Sequence, residues 1–289
     1  MENNVNLGNL KFLTEKYTPE FFEQLERDSY KDDREYPENF SNWFPHISDF
    51  GWFKCANVVA NQIFTLDDSK LMRKTDYKDN VDWEKLNEIL APTKQLMKPH
   101  RLYNIKNGCF SNKFHFDTCI ASREELAEKL WDINYASCIF DTGGYTELVV
   151  REIIPNSYEN ELPTIYHGMP LREEIRVFYN MATQEIEYMV DYWDYEYCRP
   201  HISNISDQIV FDWFHNKISG RKDNHKKLLK NYMNLIEKNI NTLKFDGCLN
   251  GIWSIDFLCN GNDIYLIDMA RGFRSAYWNP NKVGAINEK

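Results

Sequence analysis

Residues 251–270 read GIWSIDFLCNGNDIYLIDMA. Two apolar runs flank the turn-forming Asn260-Gly261-Asn262, so the segment predicts a β-hairpin. Each run carries one aspartate, Asp256 and Asp268. Strands are poor in Asp, and a carboxylate among Ile, Phe and Leu loses hydration that something else must replace. The loop length decides whether the two acids cooperate, because side chains alternate faces along a strand. A two-residue loop, Asn260–Gly261, sets Asp256 opposite Tyr265 and turns Asp268 to the other face. A three-residue loop, Asn260–Asn262, sets Asp256 opposite Leu266 and brings both acids to one face, with Cα atoms roughly 7–8 Å apart. Two carboxylates so close resist ionisation unless a cation stands between them. Mg²⁺ fits that place, since it takes hard oxygen ligands from one or two carboxylates and nucleotide phosphates. The alternative is that each aspartate is met by an arginine or by backbone N–H groups.

Three further stretches carry charge in strand-like surroundings. In KNGCFSNK, residues 106–113, Lys106 ends one predicted strand and Lys113 begins the next. Gly108, Ser111 and Asn112 between them would let backbone N–H groups approach an anion. A plain hairpin with solvated lysines is the other reading. In REEIRVF, residues 172–178, alternation places Arg172, Glu174 and Arg176 on one face, either a solvated face or a binding floor. Arg176 is the candidate forked donor for a phosphate or carboxylate. TELVVREII predicts a strand buried on both faces.

Helices are predicted elsewhere. Thr18 and Pro19 form an N-cap and first turn for TPEFFEQLERDSY, with Phe21, Phe22 and Leu25 at helical spacing. VDWEKLNEILAPTKQLM carries Trp83, Leu86 and Leu90 on one face, with an interruption expected at Pro92. Ser122 and Glu125 are spaced as a capping box, and DNHKKLLKNYMNLIEKNINTL is a long amphipathic helix. The aromatic run YWDYEY, residues 192–197, receives no role.

At 289 residues with 43% hydrophobic content the chain can bury a sizeable core, in one large domain or two smaller ones. The formal charge of −10 disfavours broad binding to nucleic acid or an anionic membrane, which needs a basic surface. Seven cysteines show no C-x-x-C or Cys/His ligand spacing, and the seven histidines are dispersed. A reduced, cytoplasmic thiol set is therefore expected and a zinc site is not. Neither a signal peptide nor a membrane span is expected. The alternation of sheet and helix lacks a regular βαβ rhythm, which predicts an α+β protein with two sheet-bearing lobes.

Taken in order, a strand lysine with a small loop, an apolar strand, an Arg-bearing strand and a two-acid hairpin resemble an ATP-grasp fold. Within that superfamily they are most similar to the D123 (cell division cycle protein 123) family. The blocks that carry the likeness are Lys106, Ser111 and Lys113; LVVRE with Arg151; Glu174, Arg176 and Phe178; and SIDF with LIDMA. Trp43, Phe44 and Pro45 echo an early Trp-Tyr-Pro. The resemblance implies an N-terminal helix-rich region, residues 1–98, and an ATP-grasp core, residues 99–289. The core would divide into a small lobe, 99–154, and a large lobe, 155–289, with the nucleotide cleft between them.

The resemblance further implies that Lys106 and Lys113 contact the ATP phosphates and that Ser111 and Arg151 belong to the nucleotide site. The backbone of Glu152, Ile153 and Ile154 would face adenine, Arg176 would hold the terminal phosphate, and Asp256 and Asp268 would hold Mg²⁺. Arg176 and Lys106 are the implied catalytic groups. One departure stands out: Ala270 occupies the place of an asparagine that commonly supplies a second metal ligand. Either one ion remains, or Asn262, Ser275 or a water compensates, or nucleotide binding outlasts turnover. Arg271 and Arg274 would meet an anionic substrate or simply be solvated. Two functions follow: a carboxylate-amine ligase working through an acylphosphate, on a small-molecule or protein carboxylate, or a D123-like ATP-binding factor that assembles a protein complex.

Overall fold

The computed structural model describes residues 18–47, 51–72, 78–156, 162–216, 219–240 and 249–283. Among them, strands form three sheets in a mixed α+β arrangement. The largest has the order β1-β11-β10-β8-β9, comprising Lys54–Cys55, Asp263–Arg271, Ile252–Asn260, Glu174–Asn180 and Glu185–Asp191. The second has the order β2-β5-β3-β4, comprising Val58–Ile63, Glu147–Glu152, Tyr103–Asn107 and Ile120–Ala121. Strands β6 (Thr164–Ile165) and β7 (Met169–Pro170) make a small separate hairpin.

Alternation along the strands sorts core from cleft. In the large sheet Ile175, Val177 and Tyr179 of β8 and Ile255 and Phe257 of β10 pack with Leu229, Tyr232, Ile236 and Ile240 of the helix Ser219–Ile240. Their neighbours Glu174, Arg176 and Asp256 point the other way, toward the second sheet. In that sheet Ile105, Leu148 and Val150 pack in a core with Leu86 and Leu90 of the helix Trp83–Leu96 and Leu130 of the helix Leu126–Ile139. Val149 joins the large-sheet core instead, so β5 is buried on both faces, as its unbroken apolar run predicts.

Several local expectations hold. Thr18 Oγ1 accepts the Phe21 N–H at 3.2 Å, and Pro19 opens the helix Pro19–Arg34. Ser122 and Glu125 exchange backbone and side-chain hydrogen bonds as a capping box, one turn ahead of the helix Leu126–Ile139. Others need correction. Pro92 does not interrupt its helix, which runs through it. The ring lies on the exposed face, where the carbonyl it frees can meet water. Phe21, Phe22 and Leu25 stay exposed, and their helix buries no residue.

Lys113 does not start a strand: Lys113–Cys119 is 3₁₀-helical on either side of a kink at His115, whose φ of −130° and ψ of 66° are not helical. The chain must return from Asn107 to pair Ile120–Ala121 with Tyr103–Asn104, and a rise of about 2 Å per residue takes up the slack that a strand would overshoot. The expected boundary at residue 98 does not separate the sheets. β1 pairs parallel with β11, and β2 pairs antiparallel with β5, so the first hundred residues lend an edge strand to each sheet. Among the described residues no helix is long and apolar enough to cross a membrane.

Candidate functional site

The hairpin register decides where the aspartates point, and neither expected loop is the one formed. Asn260 pairs with Asp263 across the two-residue turn Gly261–Asn262. Cys259, Leu258 and Phe257 then face Ile264, Tyr265 and Leu266 in step. Continued unbroken, that register would put Asp268 on the helix-covered face with Ile264 and Leu266. A β-bulge at Ile267 prevents this: the pairing skips one residue, and Asp256 faces Asp268 directly. Beyond it Met269 rejoins the core while Asp268 and Ala270 line the cleft. Bulges commonly re-aim a side chain in this way.

The cleft between the two sheets encloses about 650 Å³. Ser111, Lys113, Arg151, Glu152, Ile153 and Ile154 line one side of it. Arg176, Asp256 and Asp268 line the other. Lys106, on the cleft-facing side of β3 and 1% exposed, reaches in from behind: its Nζ donates to Asp268 Oδ1 at 2.8 Å. The ten residues that the resemblance assigns to the nucleotide and metal site therefore meet around one opening.

The electrostatics are those of matched pairs. Arg176 clasps Asp256 with Nε and Nη2, each 2.7 Å from a carboxylate oxygen, and Nη1 donates to the Ala276 carbonyl at 3.1 Å. Its guanidinium lies 4.7 Å from the centre of the Tyr192 ring, whose hydroxyl accepts from Lys113 Nζ. For Asp268, burial favours the neutral acid, but Lys106 and Arg151 outweigh it and hold the carboxyl below its ordinary range. Arg151 also donates to the Ile267 carbonyl at 2.6 Å, gripping the bulge itself from across the cleft.

Some expected contacts are already spent inside the protein. The Gly108 N–H donates to the Gly144 carbonyl at 3.1 Å and is not presented to an anion. The Glu152 N–H donates to the Asn57 carbonyl at 2.8 Å, and Arg172 holds the Ile154 carbonyl at 3.1 Å. Residues 152–154 line the cleft, but those two polar groups face protein. Asn262 sits in the hairpin turn, six residues and roughly 20 Å of strand from Asp268. It cannot stand in for the ligand that Ala270 lacks. Ser275 lines the cleft, and its hydroxyl bonds to that of Ser254, the cross-strand partner of Ala270, at 2.6 Å.

The sequence reading missed Glu38, Tyr192 and the role of Glu174. Glu38 Oε1 accepts the Arg271 N–H at 3.0 Å, and no local pattern marks this residue. Glu174 does stand in the alternating row with Arg176. It is 6% exposed and lines the cleft, and its Oε2 has no hydrogen-bond partner. Burial first, then the charge of Asp256, pushes its carboxyl up to about 8.

A divalent cation suits this donor set. A carboxylate offers about four lone-pair sites, so Asp256 retains acceptor capacity beyond the two bonds from Arg176. Asp268 is partly open to the cleft. Glu174 contributes a buried oxygen with nothing to bind. Hard carboxylate oxygens without thiolate or imidazole favour Mg²⁺ over a transition metal.

No family model matches the chain, and no curated protein matches it. Among solved structures, C-terminally truncated Cdc123 from Schizosaccharomyces pombe superposes with a TM-score of 0.49 at 13% identity, covering 86% of this chain and 88% of the other. Cdc123 from the same organism gives 0.47 and 14%, covering 88% and 93%. At this distance the likeness assigns the chain neither a ligand nor an activity.

Proposed function

We propose that the cleft binds ATP together with Mg²⁺ in an ATP-grasp-like manner, and that binding rather than ligation is its main business. The observation that carries the reading is the bulge at Ile267. It brings Asp268 to the face of Asp256, inside a cleft that also gathers Lys106, Lys113, Arg151 and Arg176. Asp256, Asp268 and Glu174 would hold the cation, whose chemistry there is to offset phosphate charge. Lys113 and Arg176 would meet phosphate oxygens, and Ile153 and Ile154 give an apolar wall beside which a base can lie.

Two features support a binding or assembly role of the D123 kind over a ligase. Ala270 removes a second metal ligand without a side-chain replacement of the same reach. Both aspartates already carry internal cations, so the ion-free cleft is electrostatically balanced and a metal must compete with Arg176 and Lys106 for them. A ligase is the second reading, on the observation that Arg274 also lines the cleft, placed for an anionic acceptor.

Melting curves test the proposal, since a ligand bound only by the folded state raises the melting temperature. Mg·ATP should raise it for the parent and much less for Asp268→Asn. An equal rise in both would remove Asp268 from the site. ADP release that stays negligible across carboxylate and amine mixtures supports the binding role, and release stimulated by one such pair supports the ligase.

A further inference from the structure

Away from the aspartates, the fold assembles a group that is not visible in the sequence. His115 and Asp117 lie in the 3₁₀ segment Lys113–Cys119, and His167 lies about fifty residues later in the turn joining β6 and β7. One ligand atom from each of the three falls within 4.8 Å of the others. The two imidazoles stack with centroids 4.8 Å apart and planes 22° from parallel.

The backbone that presents them is pinned. The Phe116 N–H donates to the Tyr166 carbonyl at 3.0 Å, and the Phe114 and Tyr166 rings meet edge to face at 5.1 Å. Asp207 accepts the Tyr166 N–H at 3.0 Å, which fixes the turn from its other side. Residues flanking the three ligands, Phe116 between His115 and Asp117 and Met169 just beyond His167, line the cleft. The cluster thus stands at the cleft rim, where the segment after β3 meets the β6–β7 hairpin.

We propose that His115, Asp117 and His167 form a zinc site that ties these two segments together at the rim. Two imidazoles and one carboxylate are a borderline donor set that suits Zn²⁺ and is ill matched to Mg²⁺ or Ca²⁺. Bonds of about 2.0–2.2 Å in a tetrahedron require donors roughly 3.4 Å apart. All three side chains are exposed, so modest rotations close the remaining gap without disturbing a core. The fourth position is left to water, and the ion's work is mechanical. It adds a coordinate link to the two contacts that already join the segments, and so restricts opening of that side of the cleft. This site stands whether or not the cleft takes ATP.

Zinc titration of the full chain against a chromophoric chelator, in excess non-metal reductant and with Co²⁺ absorption in parallel, tests it. The parent should bind one equivalent, with a Co²⁺ spectrum lacking thiolate charge-transfer bands. His115→Ala and His167→Ala should each weaken binding by at least about tenfold. Asp117→Asn should weaken it less, while zinc-free melting temperatures stay unchanged. Binding that persists undiminished in the double variant His115→Ala/His167→Ala would place the zinc elsewhere and overturn the proposal. Absence of competition by the parent at micromolar zinc would overturn it equally.

Discussion

Asp256 and Asp268 stand directly opposite each other across β10 and β11, yet each is neutralised by a different cation from a different sheet. Asp256 holds Arg176 of its own sheet, and Asp268 holds Lys106 of the other. The second pair is a bridge across the cleft: its two partners lie 162 residues apart in the chain. Together with the hydrogen bond from Arg151 to the Ile267 carbonyl, it ties one sheet to the other.

The Arg176–Asp256 pair should behave as one unit. Both side chains are about nine-tenths buried, so removing one partner strands a charge. Arg176→Met alone should cost ~3–5 kcal/mol in urea unfolding. Arg176→Met/Asp256→Leu should cost far less than the sum of the single changes, because neither charge is then left behind. Additive costs would contradict the pairing.

Glu174 gives a pH signature with an unusual sign. Its folded carboxyl titrates near 8 against 4.5 for the ordinary group, so the folded state binds the extra proton between those values. Stability from this site is therefore greatest below about pH 4.5 and declines as the pH climbs toward 8. Glu174→Gln removes the decline. The variant should match the parent near pH 4.5 and exceed it at pH 8, by an amount on the order of 2–4 kcal/mol. A gap independent of pH would contradict the burial of an ionisable group here.

Asp268 should show the opposite trend. Lys106 and Arg151 hold its carboxyl below the ordinary range, so its stabilisation is present above the unfolded value near 3.8 and is lost as the pH falls through the folded one. Asp268→Asn should lower the urea midpoint at pH 7, and its deficit relative to the parent should shrink progressively as the pH is taken below 3.8. A deficit that does not change with pH would mean that packing, not charge, is what the substitution disturbs.

Gly108 marks a close approach. A Cβ there would fall 2.1 Å from Asn39 Oδ1 and 2.9 Å from Glu147 Cγ, and the Gly108 carbonyl accepts the Phe40 N–H at 3.0 Å. Gly108→Ala must push the loop beneath Ser111 away from that buried segment. A loss of ~1–3 kcal/mol is expected in thermal or urea unfolding, and an unchanged midpoint would show that the loop yields freely.

What the sequence disclosed, and what it withheld, follow one physical line. Alternation is local, so REEIRVF revealed the shared face of Glu174 and Arg176, and TELVVREII revealed a strand buried on both sides. The bulge at Ile267 has no residue signature, since its backbone needs no glycine. The two acids therefore share a face by a route that loop length alone did not contain. Phe114 and Phe116 alternate as strand residues do, but chain closure between β3 and β4 compacts them into a 3₁₀ turn. Long-range pairing explains the rest. Lys54–Cys55 and Val58–Ile63 become strands only because β11 and β5 offer them edges, and Glu38 enters the cleft only because Arg271 meets it there. His115 and His167 are dispersed in sequence and meet only once the β6–β7 turn is docked.

Calorimetric titration of the parent with ATP, with and without Mg²⁺, asks whether the cleft takes a metal-bound nucleotide. One saturable site per chain is expected, needing Mg²⁺ for full affinity and lost in Asp256→Asn, with that variant's folded state verified by circular dichroism. No saturable heat from the folded parent at millimolar Mg·ATP, or binding indifferent to both Mg²⁺ and Asp256, would contradict the proposed function.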